Sequence, residues 1–150
     1  MSVASSTPQP LTTTDTYGSI LNGSTFAAQS NMVTGTPVIS SSVTLAPGIW
    51  IISAYYGFGV NNAFTGTVSS YISSTIGGVT AIVSGLGETV VPVVGAATTF
   101  YEQGSAIINN NTGAPVQYNL TLLPIITAGA GTLNTTGPAV PYSLTAVFLG

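Results

Sequence analysis

Only three side chains in this 150-residue sequence are charged at neutral pH: Asp15, Glu88 and Glu102. There is no Lys, Arg, His or Cys. This inventory restricts the available chemistry. Without His or Cys there can be no His-based triad, no thiol nucleophile and no ordinary zinc site. Without Lys there is no Schiff base and no phosphate-loop lysine. A glycosidase needs two carboxyls at a set separation with divergent pKa values, and a calcium site usually gathers several acidic oxygens close in sequence. The spacing of the three carboxylates meets neither requirement. Glu88, in Gly85-Leu86-Gly87-Glu88-Thr89, reads as part of a hairpin end, and Glu102 follows Tyr101 in a β-rich run. Both are expected to be exposed, solubilising groups. The sequence predicts a non-enzyme, with no catalytic residues, no metal and no cofactor.

The same inventory bears on partners. With no Lys or Arg, nothing neutralises a nucleic-acid backbone or docks on anionic lipid, so nucleic acid is not an expected partner. The longest apolar stretch, Val43–Val60 (VTLAPGIWIISAYYGFGV), holds Pro47-Gly48, further glycines and many aromatic and β-branched residues. That content argues against a membrane helix, so no membrane insertion is expected. Met1–Thr16 (MSVASSTPQPLTTTDT) is polar and Pro-containing, without the basic start and apolar run of a secretory signal. Charged residues make up 2% of the chain, against roughly 25–35% on an ordinary soluble surface. Mean hydropathy is +0.55. Such a surface is prone to self-association, which points to a subunit of an assembly. Net charge would also stay near zero in acid, and trypsin-like proteases would find no cleavage site. A biased genomic composition produces the same pattern.

The elements that must position any site are strands. Residues 1–16, rich in Ser, Thr and Pro, read as an extended N-terminal arm expected to pack across a neighbouring subunit, and residues 17–150 as one domain long enough to bury a core. The predicted strands are Thr25–Gln29, Val38–Leu45, Ile49–Phe58, Phe64–Ile76, Val79–Val83, Thr89–Val94, Thr98–Ile108, Val116–Pro124 and Tyr142–Leu149. Turn signals separate them at Pro47-Gly48, Asn61-Asn62, Gly77-Gly78, Gly85–Gly87, Asn109–Gly113 and Gly129–Gly131. In Ile49–Phe58 both faces are fairly apolar, predicting a strand covered on two sides. In Val116–Leu122 the polar Gln117, Asn119 and Thr121 alternate with apolar residues, predicting a half-exposed strand. This spacing of strands and turns predicts an all-β fold, an antiparallel two-sheet sandwich of the jelly-roll kind.

Two residue groups could bind or carry carbohydrate. Trp50, Tyr55, Tyr56, Phe58, Phe64 and Tyr71 crowd together, and strand cores or subunit interfaces have this composition too. Were some exposed, Tyr55, Asn61, Asn62 and Phe64 would be the place to seek a glycan contact. Asn-x-Ser/Thr sequons occur at Asn22, Asn110, Asn119 and Asn134, of which the first, second and fourth fall in predicted turns. They are candidate glycosylation sites, or simply turn-forming residues.

Three segments carry a resemblance: Val43–Tyr55 (VTLAPGIWIISAY), Gly104–Leu122 (GSAIINNNTGAPVQYNLTL) and Tyr142–Gly150 (YSLTAVFLG). In this order they resemble phage and viral jelly-roll modules of the trimeric family that includes tumour necrosis factor and the complement globular head. Phe148 stands where that family's ending usually has Arg. The resemblance implies ten strands in two sheets and homotrimers packed on apolar faces. Tyr118, Leu120, Leu122 and Phe148 would then be oligomer-interface positions, the first three being sandwich-core candidates too. It also implies a virion-surface protein, acting as capsid decoration, head fibre or receptor-binding module, whose partners are its own copies, other virion proteins and a host-surface glycan. The alternatives are a subunit of an extracellular cell-surface filament or sheath joined through the N-terminal arm, and a carbohydrate-binding module.

Overall fold

Alternation of large apolar and small residues in β-branched, helix-poor segments produces strands throughout. The computed structural model describes residues 17–25, 33–61, 65–91, 98–128, 132–134 and 143–150. The expected N-terminal arm lies outside the described residues. The strands are β1 (Ile20–Asn22), β2 (Ser24–Thr25), β3 (Val38–Leu45), β4 (Gly48–Asn61), β5 (Thr65–Ile76), β6 (Val79–Val91), β7 (Thr98–Asn110), β8 (Val116–Ala128), β9 (Thr132–Asn134) and β10 (Ser143–Phe148). One sheet has the order β1-β10-β4-β7, with β9 on the far end of β4. The other has the order β2-β3-β8-β5-β6. The pairings are antiparallel. The chain repeatedly crosses between the sheets, and the resulting order is that of a jelly-roll sandwich.

The inner face of β4 builds the core. Trp50, Ile52, Ala54, Tyr56 and Phe58 are all buried, beside Ala106 and Ile108 of β7 and Leu144 and Ala146 of β10. The second sheet contributes Val43, Leu45, Val68, Ile72, Tyr118, Leu120 and Leu122 to the same cluster. The outer face of β4 is not covered: Ile49 is 41% exposed and Tyr55 40%. One-sided coverage therefore replaces the two-sided coverage read from its composition.

β8 departs from expectation in the opposite sense. It lies between β3 and β5, and its polar residues Asn119 and Thr121 are fully buried. A short polar network satisfies them: Ser73 and Thr121 share a 2.8 Å hydroxyl bond, the Asn119 amide donates to Thr75 Oγ1 at 3.0 Å, and Gln117 donates to Asn119 Oδ1 at 2.8 Å. Buried polar groups persist where their partners are present.

β6 is one continuous strand where two were expected. Gly85 and Gly87, read as a turn, instead lie within the ladder, which shifts register between Ser70 and Tyr71. Leu86 falls at that shift and packs against the core. Leu86 is the extra residue there, a bulge at which the strand bends locally without reversing.

Gly48 shows a true backbone requirement. Its φ is +134°, and a Cβ there would meet the Phe148 ring at 2.5 Å and the Gly150 carbonyl at 3.0 Å. Gly48→Ala should lower unfolding stability by about 1–3 kcal/mol. Gly18→Ala has a positive φ but open space around it, and should cost less. Urea midpoints of the two variants test this ordering.

Candidate functional surface

The residues expected at an oligomer interface lie mostly inside the sandwich. Tyr118, Leu120 and Leu122 are 4%, 0% and 0% exposed, packed between the sheets. They alternate onto the inner face of a central strand, so no neighbouring subunit can reach them in the folded chain. Phe148 is half-buried and packs on Trp50, the ring centroids 4.8 Å apart. It caps the edge of the core beside Trp50.

Two sequons are corrected by burial. The Asn110 amide donates to the Leu45 carbonyl at 3.0 Å and the Ala114 carbonyl at 2.9 Å, while its Oδ1 accepts from Thr112. Asn110 thus clamps the β7–β8 turn. Asn119 is held in the β8 network described above. Neither amide nitrogen can carry a glycan while the chain is folded. Asn22 lies in β1 opposite Thr145, and Asn134 in β9 opposite Gly59, so both are in strands instead of turns.

Of the expected glycan-contact residues, Tyr55 is on an exposed outer face and Asn61 ends β4 opposite Thr132. Asn62 and Phe64 lie outside the described residues.

The carboxylates separate in role. Glu88 is exposed and accepts from Ser69 Oγ at 3.1 Å. Glu102 is half-buried and is not the exposed solubilising group expected. It pairs across the ladder with Tyr56, so its side chain shares the inner face. The Tyr56 hydroxyl donates to Glu102 Oε2 at 2.6 Å and contacts Ser70 Oγ, whose proton goes to the Gly87 carbonyl at 3.1 Å. Burial, reinforced by the bond to Glu102, holds the Tyr56 phenol far above its usual pKa. Sequence parity carried this signal: Phe100, Glu102, Gly104, Ala106 and Ile108 alternate onto one face. Among the described residues no three His, Cys, Asp or Glu side chains come together to hold a metal ion.

Two surface features remain. The first is strand β6, at the edge of its sheet and exposed along most of its length. Val79 and Val90 are each 69% exposed and Ile82 67%, Val83 is also exposed, and so is Ile76 at the adjoining end of β5. The second is the outer face of the β1-β10-β4-β7 sheet. There Ile20, Val147, Ile51 and Ile107 stand opposite one another across the four strands as an aliphatic row. The next row, Thr145, Ser53 and Ser105, is short and polar, and the one after is Ser143, Tyr55 and Gln103. Small side chains between taller rows leave a hollow of about 390 Å³, lined by the last two rows. Tyr101, from β7, lies nearly parallel to Tyr55, 7° between planes and 6.4 Å between centroids.

Strand order, core and surface together define a jelly-roll β-sandwich. A similar solved structure is a chain in infectious bursal disease virus, Gt strain, with a TM-score of 0.52 and 12% identity over 100% of this chain and 43% of that one. A chain from the Gx strain of the same virus aligns over 94% of this chain and 44% of that one, at 10% identity and a TM-score of 0.44. The present chain thus spans less than half the length of these neighbours. No protein-family model matches the sequence, and no curated protein matches it.

Proposed function

We propose that this chain is a non-enzymatic structural subunit of a virus particle, a jelly-roll module that works by associating with its own copies and with other virion proteins. The observation that carries the proposal is the β6 edge. Native sheets usually blunt a long edge with Lys, Pro or a covering element, because its open backbone groups recruit further strands. β6 has thirteen residues and, among the described residues, pairs with β5 alone; apart from the bulge at Leu86, it presents aliphatic side chains with Glu88 as its single charge. In a chain with three charged side chains, little else opposes association. Such an edge suits a surface that is covered in the assembled state. The structural likeness to a viral chain supports the particle as the setting, as capsid component, decoration or fibre at the virion surface. A contact of β6 with a different surface of the next copy, repeated with threefold closure, would give the trimer expected from the sequence.

The test is solution mass by light scattering across a range of concentrations. The wild-type chain should be oligomeric. Ile82→Lys should weaken association by roughly 10- to 150-fold, the effect of losing one buried aliphatic contact. A wild-type monomer at every concentration would overturn the reading, as would an Ile82→Lys variant with unchanged association.

A further inference from the structure

We infer that the hollow on the outer face of the β1-β10-β4-β7 sheet is a binding site for a neutral oligosaccharide. Its floor is a polar row, Thr145, Ser53 and Ser105, that crosses three strands in register. Thr145 Oγ1 lies 3.4 Å from the Ser53 carbonyl. Among the described residues, the Ser53 and Ser105 hydroxyls and the Gln103 amide have no side-chain partner. Hydroxyls both donate and accept, and the Gln103 amide offers two donors and an acceptor, which matches the mixed needs of sugar hydroxyls. One wall carries Tyr55, 40% exposed, with Tyr101, 50% exposed, running parallel to it. An exposed phenol presents an apolar ring with a polar tip, which complements the C–H face and the rim of a pyranose. The aliphatic row at Ile51 and Ile107 lies next to the polar row in the ladder, beyond the lining of the hollow. At about 390 Å³ the hollow is within the range of about 300–1,000 Å³ typical of small-molecule sites, which pair apolar walls with a few convergent polar groups.

Charge narrows the ligand class. The chain has no Lys, Arg or His anywhere and a formal charge of −3. A sialic-acid carboxylate or a sulfate ester would find no cation here and would meet a net negative molecule. The site therefore favours uncharged sugars over acidic ones.

This inference rests on the sheet's register and not on the association through β6, so the two fail separately. The experiment is saturation-transfer NMR followed by titration of the full-length chain with lactose, N-acetyllactosamine and maltotriose, with sialyllactose as the acidic comparison. At least one neutral sugar should bind with a dissociation constant on the order of 1 mM, and sialyllactose more weakly than lactose. Tyr55→Ala should weaken binding about tenfold, with Tyr55→Phe retaining most of it. Ser105→Leu, which fills the hollow without touching the ring, should abolish it. Both positions are on an exposed face, so unfolding midpoints should stay near wild type, and solution mass should not change. Failure of all three neutral sugars to bind would overturn the proposal, as would tighter binding of sialyllactose. Binding unaffected by both Tyr55→Ala and Ser105→Leu would overturn it as well.

Discussion

Leu120→Ala should cost about 2–5 kcal/mol of unfolding free energy and leave the association of folded chains unchanged. Leu120 is fully buried on the central strand β8, in the same core cluster as Trp50 and its neighbours from the other sheet. Truncation removes transfer energy and leaves a cavity that two paired sheets cannot easily close. Tyr118 and Leu122 share that face and should behave alike. Denaturant unfolding reads the first quantity, and sedimentation at low denaturant reads the second. A variant of normal stability but weakened association would return Leu120 to an interface.

The second large effect is alkaline. Burial raises the pKa of Tyr56 most, with help from its bond to Glu102, and burial alone raises those of Tyr71 and Tyr118. A phenol whose folded pKa exceeds its unfolded value of about 10 holds its proton more tightly when folded. Its contribution to stability is complete below pH 10 and declines above it, by about 1.4 kcal/mol per pH unit for Tyr56. The sequence has no Lys, His or Cys to overlay this limb. Urea unfolding from pH 8 to 11.5 should therefore show a plateau and then a fall. Tyr56→Phe should shed part of the fall, at the cost of about 1.5–3 kcal/mol for the lost bond to a charged acceptor. A wild-type curve flat to pH 11 would contradict this account.

Local alternation made much of the fold legible before the structure. Val38–Leu45 falls where the pattern put it, and the face of β4 carrying Trp50, Ile52, Ala54, Tyr56 and Phe58 is the buried one. What failed depended on neighbours distant in sequence. Gly85 and Gly87 look like punctuation until β5 is seen to hold the strand straight through them. Asn119 and Thr121 look solvent-facing until Ser73 and Thr75 arrive from another strand to satisfy them. Tyr55, read as part of a strand covered on both sides, lies instead on an exposed face. The residues beside it, Gln103 and Ser143, come from β7 and β10, and only register across the sheet brings them there.

The pairing of β1 with β10 has a mechanical consequence. The Gly18 amide donates to the Phe148 carbonyl, and the Phe148 amide to Ser19, so Tyr17 and Gly150 stand at the same end of one antiparallel ladder. A force drawing those two points apart loads the rungs in sequence, not all together. The ladder would peel from that end like a zip, Phe148 first and Asn22 last. Tension applied there would release β1 at low load, while the long ladder between β4 and β7 stayed closed. A tether through this corner would act as a soft, resettable fuse on an otherwise stiff sandwich.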